Sequence, residues 1–262
     1  MLDNGNTGQP LIVKKPMTFW HIGAIVGVII LIRVAVNLVQ QNSAQNAYTR
    51  GVAFYQKGDY QAAVDAFTIA IRSEPTNPSG YANRGNAYDD MGNYQAAIAD
   101  LNRALELAKQ QSNGPNDSQL GEFYYNRGVT LQKYGEQRSA VADYLETIRV
   151  APETKDVYGR LAWIRATSPN ASLRNGLEAI RLATKACEQT KWQDLGAIDT
   201  LAASCAEAGD FTSAAKWERK AIAQDHGKND VFQTNLKTIL THQPIREKLL
   251  TSQTRKSSAA DK

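Results

Sequence analysis

Two stretches of this sequence are near copies of each other, and their spacing restricts the fold more than any other feature. The first reads "YANRGNAYDDMGNYQAAIADLNRALEL" over residues 81–107, and the second reads "YYNRGVTLQKYGEQRSAVADYLETIRV" over residues 124–150. A fixed period is typical of a chain built from stacked copies of one unit, because a single copy cannot bury its own apolar face. Residues 34 positions apart repeat this pattern in Gly51 and Gly85, Phe54 and Tyr88, Ala63 and Ala97, Phe67 and Leu101, and Ala70 and Ala104.

Each copy carries the signals for two helices joined by a tight turn. The turns read "KGDY", "MGNY" and "AGDF". In each turn a glycine that can take the left-handed conformation precedes an Asp or Asn that can cap the next helix. These pairs are Gly58 with Asp59, Gly92 with Asn93, and Gly209 with Asp210. Three further glycines fall inside first helices, where we expect them to allow close approach of the second helix: Gly51, Gly85 and Gly128.

The period, the small residues and the turns resemble the tetratricopeptide repeat family over residues 44–228. The resemblance implies an all-α, right-handed superhelical solenoid of about five helix-turn-helix repeats, at residues 44–77, 78–111, 121–154, 155–190 and 195–228. The fourth copy, with "AWIRATSP", resembles a variant seen in bacterial tetratricopeptide proteins. We expect residues 229–250 to form a closing helix over the last repeat. Residues 251–262 are expected to be a disordered polar tail.

A long apolar segment precedes the repeats. Residues 17–32 contain no Lys, Arg, Asp or Glu, and residues 17–40 are long enough to cross a bilayer as one helix after a flexible tail of residues 1–16. A buried soluble helix and a cleaved secretory signal are the alternatives. Because Lys14 and Lys15 flank its start, an uncleaved single-pass anchor would place the repeats on the non-cytoplasmic side of the membrane.

Polar residues on the first helices are the candidates for binding. In a tetratricopeptide stack the residue two positions before the signature glycine faces the concave side, and helical spacing adds its neighbours. Asn83 and Asn126 resemble the asparagine ladder with which some relatives hold a peptide backbone, since an amide both donates and accepts. A solvated polar face is the alternative. The candidate peptide-binding residues are Asn83, Asn126, Arg160, Asn86, Tyr55, Asp89 and Lys133.

The residue pattern of a chaperone adaptor is missing from the same surface. Relatives that grip chaperone C-termini carry Lys and Asn on the first repeat and Lys or Arg on the third. Here those positions hold Tyr48 and Val52, then Glu122 and Asn126. The sequence therefore argues against an adaptor for Hsp70 or Hsp90.

Composition and motifs predict no enzyme, metal site or cofactor. The three histidines lie in no recognisable arrangement with a Ser, Cys or carboxylate pair, and no phosphate-cradling glycine loop occurs. The formal charge of +4 comes from the ends of the chain, because residues 44–245 carry one net negative charge, and this disfavours nucleic acid as a partner. Cys187 and Cys205 are expected between repeats four and five, either as a disulfide or as reduced core residues.

These features predict a non-catalytic scaffold that is anchored in a membrane and binds a peptide or protein partner on its concave surface. Two alternatives remain open from the sequence. The chain could be a self-associating structural scaffold that forms homo-oligomers, or an accessory subunit of a membrane enzyme or assembly complex.

Overall fold

The structure is a computed structural model that describes residues 19–110 and 116–247, with side chains described for residues 26–36 and from residue 43 onward. Within these residues it contains eleven α-helices, a short 3-10 helix at Ala171–Leu173 and no β-strand. The expected tails of residues 1–16 and 251–262 lie outside the described part. Two compact units are formed, Met1–Ser43 and Ala44–Lys262.

The second unit is a row of helix pairs followed by a last helix. The first helices of the pairs are the part of α1 (Phe19–Gln56) from Ala44 onward, α3 (Pro78–Asp90), α5 (Asp117–Tyr134), α7 (Val157–Thr167) and α9 (Leu195–Glu207). Their second helices are α2 (Tyr60–Ser73), α4 (Tyr94–Lys109), α6 (Gln137–Val150), α8 (Gly176–Gln189) and α10 (Phe211–Gln224). The last helix is α11 (Asp230–Leu240). From α2 onward each helix packs against the next one in the sequence.

The predicted turn chemistry is confirmed. Gly58, Gly92 and Gly209 have φ of 77°, 78° and 85°, a left-handed conformation that an L side chain adopts only under strain. The residue after each glycine caps the following helix with its side-chain oxygen. The bonds run from Ala62 N to Asp59 at 3.2 Å, from Ala96 N to Asn93 at 3.4 Å and from Ser213 N to Asp210 at 2.9 Å.

The glycines inside the first helices lie against the second helix, as expected. A Cβ added to Gly85 would lie 3.1 Å from Leu101 Cγ and 3.2 Å from the carbonyl oxygen of Ala97. At Gly128 it would lie 2.7 Å from the ring of Tyr144. The helices of a pair therefore approach more closely than any larger residue would allow.

The predicted anchor of residues 17–40 is not shown. Among the described residues, no helix is both long and apolar enough to cross a membrane. Met17 and Thr18 lie outside the described part, and so do the side chains of residues 19–25 and 37–42. Of the side chains that are described, eight large apolar ones are 48–69% exposed: Val26, Val28, Ile29, Ile30, Leu31, Ile32, Val34 and Val36.

The C-terminal part of the second unit differs from the closing helix predicted for residues 229–250. Helix α11 ends at Leu240, because His242 takes a left-handed φ of 58° and Pro244 has no amide hydrogen to donate. Residues 243–247 instead run back along the repeats, and Ile245 is buried in the main core. We call residues 243–247 the returning segment.

The returning segment contacts three helix pairs. The Glu247 amide donates to the Thr167 carbonyl at the end of α7, at 2.9 Å. The side-chain amide of Gln137, at the start of α6, donates to the Glu247 carboxylate at 2.6 Å. Arg246 forms a salt bridge of 2.6 Å with Glu207 at the end of α9.

Candidate functional site

The predicted ladder residues Asn83 and Asn126 differ in whether their side chains form a hydrogen bond to a neighbouring pair. The Asn83 amide donates to the Tyr48 hydroxyl at 2.6 Å, so that a residue of the expected ladder links α3 to α1. Asn86 and Asn126 are half-buried, and the structure gives the Asn126 side chain no hydrogen bond to any described residue. The amide of Asn126 is therefore available to a ligand in a way that the amide of Asn83 is not.

Acidic residues at the end of α3 form a second set of links. The Tyr55 hydroxyl donates to the Asp90 carboxylate, and Lys133 pairs with Asp89. Burial, and then the bond to Asp90, raise the pKa of Tyr55 well above its ordinary value. The second oxygen of Asp89 is buried and has no hydrogen-bond partner among the described residues. Tyr55, Asp89 and Lys133 thus lie in one polar cluster that joins α1, α3 and α5.

Arg160 lies apart from this cluster, in a cleft of about 490 Å³ between α5, α7, α8 and α9. Its Nε donates to the Tyr125 hydroxyl at 3.0 Å. No carboxylate of the described residues forms a salt bridge with it, although eight such pairs occur elsewhere in that part of the chain. A half-buried guanidinium without a carboxylate is suited to bind an anionic group.

The walls of the cleft combine an aromatic face, uncharged hydrogen-bonding groups and the charged residues Lys155, Asp156 and Asp194, of which Asp156 acts on Arg160 by charge without forming a salt bridge. Trp163 lies one turn along α7 from Arg160 and is half-buried. Asp194 is already used to cap α9, because its carboxylate accepts from Gly196 N at 2.8 Å and from Ala197 N at 3.3 Å. The complete lining is Gln132, Lys155, Asp156, Gly159, Arg160, Trp163, Ala186, Gln189, Thr190, Asp194, Gly196, Ala197 and Thr200.

Sequence reasoning identified Arg160 in this cleft but missed Trp163, Gln189 and Thr200. The three-residue separation of Arg160 and Trp163 on one helix was the available signal, because residues at i and i+3 share a face. No comparable signal exists for Gln189 or Thr200, which reach the cleft from α8 and α9 through the stacking of the pairs.

The disulfide considered for Cys187 and Cys205 is not formed. Both cysteines are free and buried, and they belong to the main core with its Leu, Ile and Ala side chains. Burial raises the pKa of each thiol to about 11. The two side chains therefore act as small apolar residues of the core. Within the described ranges, no group of three or more His, Cys, Asp and Glu side chains could hold a metal ion.

Proteins with similar sequences or structures also contain repeated helix pairs. The sequence model named tetratricopeptide repeat matches residues 48–115. The described helix pairs have the all-α fold of a tetratricopeptide repeat solenoid. A tetratricopeptide repeat protein of Parabacteroides merdae has a similar structure, with a TM-score of 0.62 at 16% identity over 84% of this chain and 77% of that one. At this identity the likeness concerns the fold alone.

The tetratricopeptide solenoid also has sequence relatives among characterised proteins. Human serine/threonine-protein phosphatase 5 is 31% identical over 113 residues, which are 43% of this chain and 21% of the phosphatase. The Hsp70-Hsp90 organising protein of Plasmodium falciparum is 24% identical over 128 residues, which are 49% of this chain and 47% of that protein. The chain thus spans about a fifth of the length of the first of these relatives and about half of the second.

Proposed function

We propose that this chain is a non-catalytic interaction scaffold, and that a protein or peptide partner binds its concave surface at the cleft around Arg160 and Trp163. The observation that carries the proposal is the half-buried Arg160, which lines a cleft of about 490 Å³ and has no carboxylate partner among the described residues. A volume of this size lies within the usual range for ligand sites of roughly 300–1,000 Å³.

The chemistry of the cleft indicates what the partner presents. A carboxylate of the partner would pair with Arg160, and an apolar or aromatic side chain next to it would pack on Trp163. Gln189 can donate to and accept from the peptide backbone between the two, and Gln132 can donate to it, because its Oε1 already accepts from the Tyr144 hydroxyl at 2.8 Å. The free amide of Asn126 extends this polar surface toward the α3 end of the solenoid.

The proposal differs from that of a chaperone adaptor, although one relative is named for organising Hsp70 and Hsp90. The positions at which such adaptors carry cationic residues hold Tyr48, Glu122 and Asn126 here. The cleft has its own cationic residues, Lys155 and Arg160, at the fourth pair. We therefore place the binding site in the later repeats, which lie beyond the residues 48–115 that match the family model.

We further propose that the N-terminal unit attaches the scaffold to a membrane as a single-pass anchor, with the repeats on the non-cytoplasmic side. The exposed apolar side chains between Val26 and Val36 support this proposal, since water-exposed clusters of this kind are rare on soluble proteins. The full chain should remain with membranes after washes in high salt and carbonate. Recovery of the full-length chain in the soluble fraction would contradict the proposal.

The function is tested by cross-linking and capture with the full chain. Trp163→Ala and Arg160→Gln should lose the partner that the wild-type chain captures, while both variants keep their helical content. Arg149→Gln is the matched control, because Arg149 is an exposed arginine in a surface pair with Glu146. Unchanged capture by the two cleft variants would exclude the cleft. Capture of further copies of the chain alone would support the self-associating scaffold instead.

A further inference from the structure

A buried polar cluster lies among the last three helices of the second unit, outside the lining of the cleft. It consists of Asp199 on α9, Glu218 on α10 and Asn235 on α11, each from a different helix. Glu218 is 0% exposed, and Asp199 and Asn235 are 7% and 8% exposed. Full burial of a carboxyl group is costly unless hydrogen bonds compensate for the water it has lost.

The hydrogen bonds of the cluster are incomplete when both acids are ionised. The Asn235 amide donates to Oδ1 of Asp199 at 2.8 Å. Neither Oε1 nor Oε2 of Glu218 receives a hydrogen bond from any described residue. The neighbouring Asp199 carboxyl raises the pKa of Glu218 by its charge and by the hydrogen bond that the two groups can form once one of them is protonated. Two ionised carboxylates have only acceptor oxygens, so this contact needs a proton.

Within the described ranges, no Lys, Arg or His forms a salt bridge with Asp199 or Glu218 that could replace that proton. Among the groups described on the neighbouring helices, Asp199 is the titratable group that acts on Glu218. Glu218 and Asn235 are the groups that act on Asp199. No Lys, Arg or His of α9, α10 or α11 is among the groups that act on Asp199 or on Glu218.

We propose that Asp199 and Glu218 form a buried binding site for a single proton, and that this proton holds α11 against the last repeat. In the protonated pair the Glu218 hydroxyl donates to Asp199, while Asn235 donates to Asp199 from the other side. Both bonds then converge on one carboxylate, which carries the single negative charge of the cluster. Removal of the proton leaves two adjacent charges in an apolar core, and their repulsion pushes apart α9 and α10, the two helices on which α11 packs.

The expected direction of the pH effect follows from burial. Burial, and then the charge of Asp199, raise the pKa of Glu218 to about 9. Burial also raises the pKa of Asp199. When α11 opens, Glu218 returns toward its ordinary pKa of about 4.3. The closed form therefore binds more protons than the open form between these values, and opening becomes about tenfold more favourable with each pH unit.

The test measures how often α11 opens in the full chain. Lys237 is an exposed residue of α11, so tryptic cleavage after it reports the open form. The wild type and Glu218→Gln are cleaved side by side between about pH 7 and 9, and each rate is compared with that of the control Glu188→Gln. Glu188 is an exposed glutamate on α8. The amide of Glu218→Gln keeps the donor to Asp199 without a titrating proton.

We expect the cleavage rate of the wild type and of Glu188→Gln to rise by up to about tenfold per pH unit relative to Glu218→Gln. The infrared band of a protonated carboxyl group should be present in the wild type at neutral pH and absent from Glu218→Gln. Equal pH dependence in all three proteins, or the absence of that band from the wild type, would overturn the proposal.

Discussion

The guanidinium of Arg84 on α3 donates from Nε and Nη2 to the two carboxylate oxygens of Asp100 on α4, at 2.8 and 2.9 Å. Arg127 and Asp143 repeat this geometry between α5 and α6, at 2.8 and 2.6 Å. Each arginine also reaches the second helix of the preceding pair, because Nη1 of Arg84 donates to Thr68 at 3.0 Å and Nη1 of Arg127 donates to Asn102 at 2.7 Å. The repeated Asn-Arg-Gly thus contains an arginine that connects three helices.

Removal of the carboxylate from the ion pair between Arg127 and Asp143 should destabilise the solenoid. In Asp143→Ala the guanidinium of Arg127, whose side chain is 23% exposed, loses its carboxylate. Breaking a fully buried ion pair costs roughly 3–5 kcal/mol, and the residual exposure of Arg127 lowers our expectation to about 2–3 kcal/mol. Urea denaturation measures this cost. The control Glu146→Ala, in an exposed pair with Arg149, should change the unfolding free energy by at most about 1 kcal/mol.

Two glycines of neighbouring helices should respond oppositely to the same substitution. A Cβ on Gly176 would lie 2.5 Å from the backbone nitrogen of Ala208, whereas a Cβ on Gly159 would meet only Ala186 Cβ at 3.7 Å. Gly176→Ala should therefore lower the unfolding free energy by about 1–3 kcal/mol, since a backbone cannot move aside as a side chain can. Gly159→Ala should raise it by up to about 1 kcal/mol, because alanine favours the helix. Equal effects in chemical denaturation would contradict the close contact at Gly176.

The two asparagines of the predicted ladder should separate into a structural and a binding residue. Asn83→Ala leaves the Tyr48 hydroxyl without its partner and should cost about 1 kcal/mol of stability. Asn126→Ala should leave stability within about 0.5 kcal/mol and weaken partner binding about two- to tenfold. Thermal melting and a binding titration measure the two effects. A loss of binding in Asn83→Ala at unchanged stability would reverse these roles.

Both thiols should be protected in the native protein. Cys187 and Cys205 are buried, with pKa values raised to about 11, so the reactive thiolate is scarce at neutral pH. Alkylation should leave both unmodified in native buffer and modify both in denaturant, as read from the intact mass. A mass that shows neither thiol alkylated in denaturant without reductant would indicate a disulfide and contradict the structure.

The features that the sequence predicted are local ones. The turn at Gly92 and its cap Asn93 follow from residues adjacent in the chain, and the close approach at Gly85 follows from the period. Both features depend only on the local backbone conformation and on the contact with one neighbouring helix, and this local arrangement repeats in every copy. The role of Arg160 as a groove residue could likewise be proposed from its register position.

The features that the sequence did not predict depend on residues that meet only after stacking. Glu218 and Asp199 come from different helices, and nothing in either helix alone indicates that their carboxyl groups face each other. The ion pair between Arg84 and Asp100 joins residues 16 positions apart and was not predicted. The sequence did contain a signal for it, because Arg127 and Asp143 have the same separation in the second copy. The predicted closing helix extended beyond the end of α11 at Leu240, because the reversal at His242 is held in place by contacts of Glu247 with α6 and α7, which are distant in the sequence.

The returning segment changes how this solenoid can come apart. In an ordinary array each repeat touches only its neighbours, so the end can fray one unit at a time. Here the contact of Glu247 with Gln137 joins positions 110 residues apart, and Arg246 ties the same segment to Glu207 between them. Release of the last helix pair therefore also breaks the hydrogen bond between the returning segment and the third helix pair. Closure of so long a loop slows folding. The returning segment therefore links the third, fourth and fifth helix pairs, and these pairs unfold together as one cooperative unit.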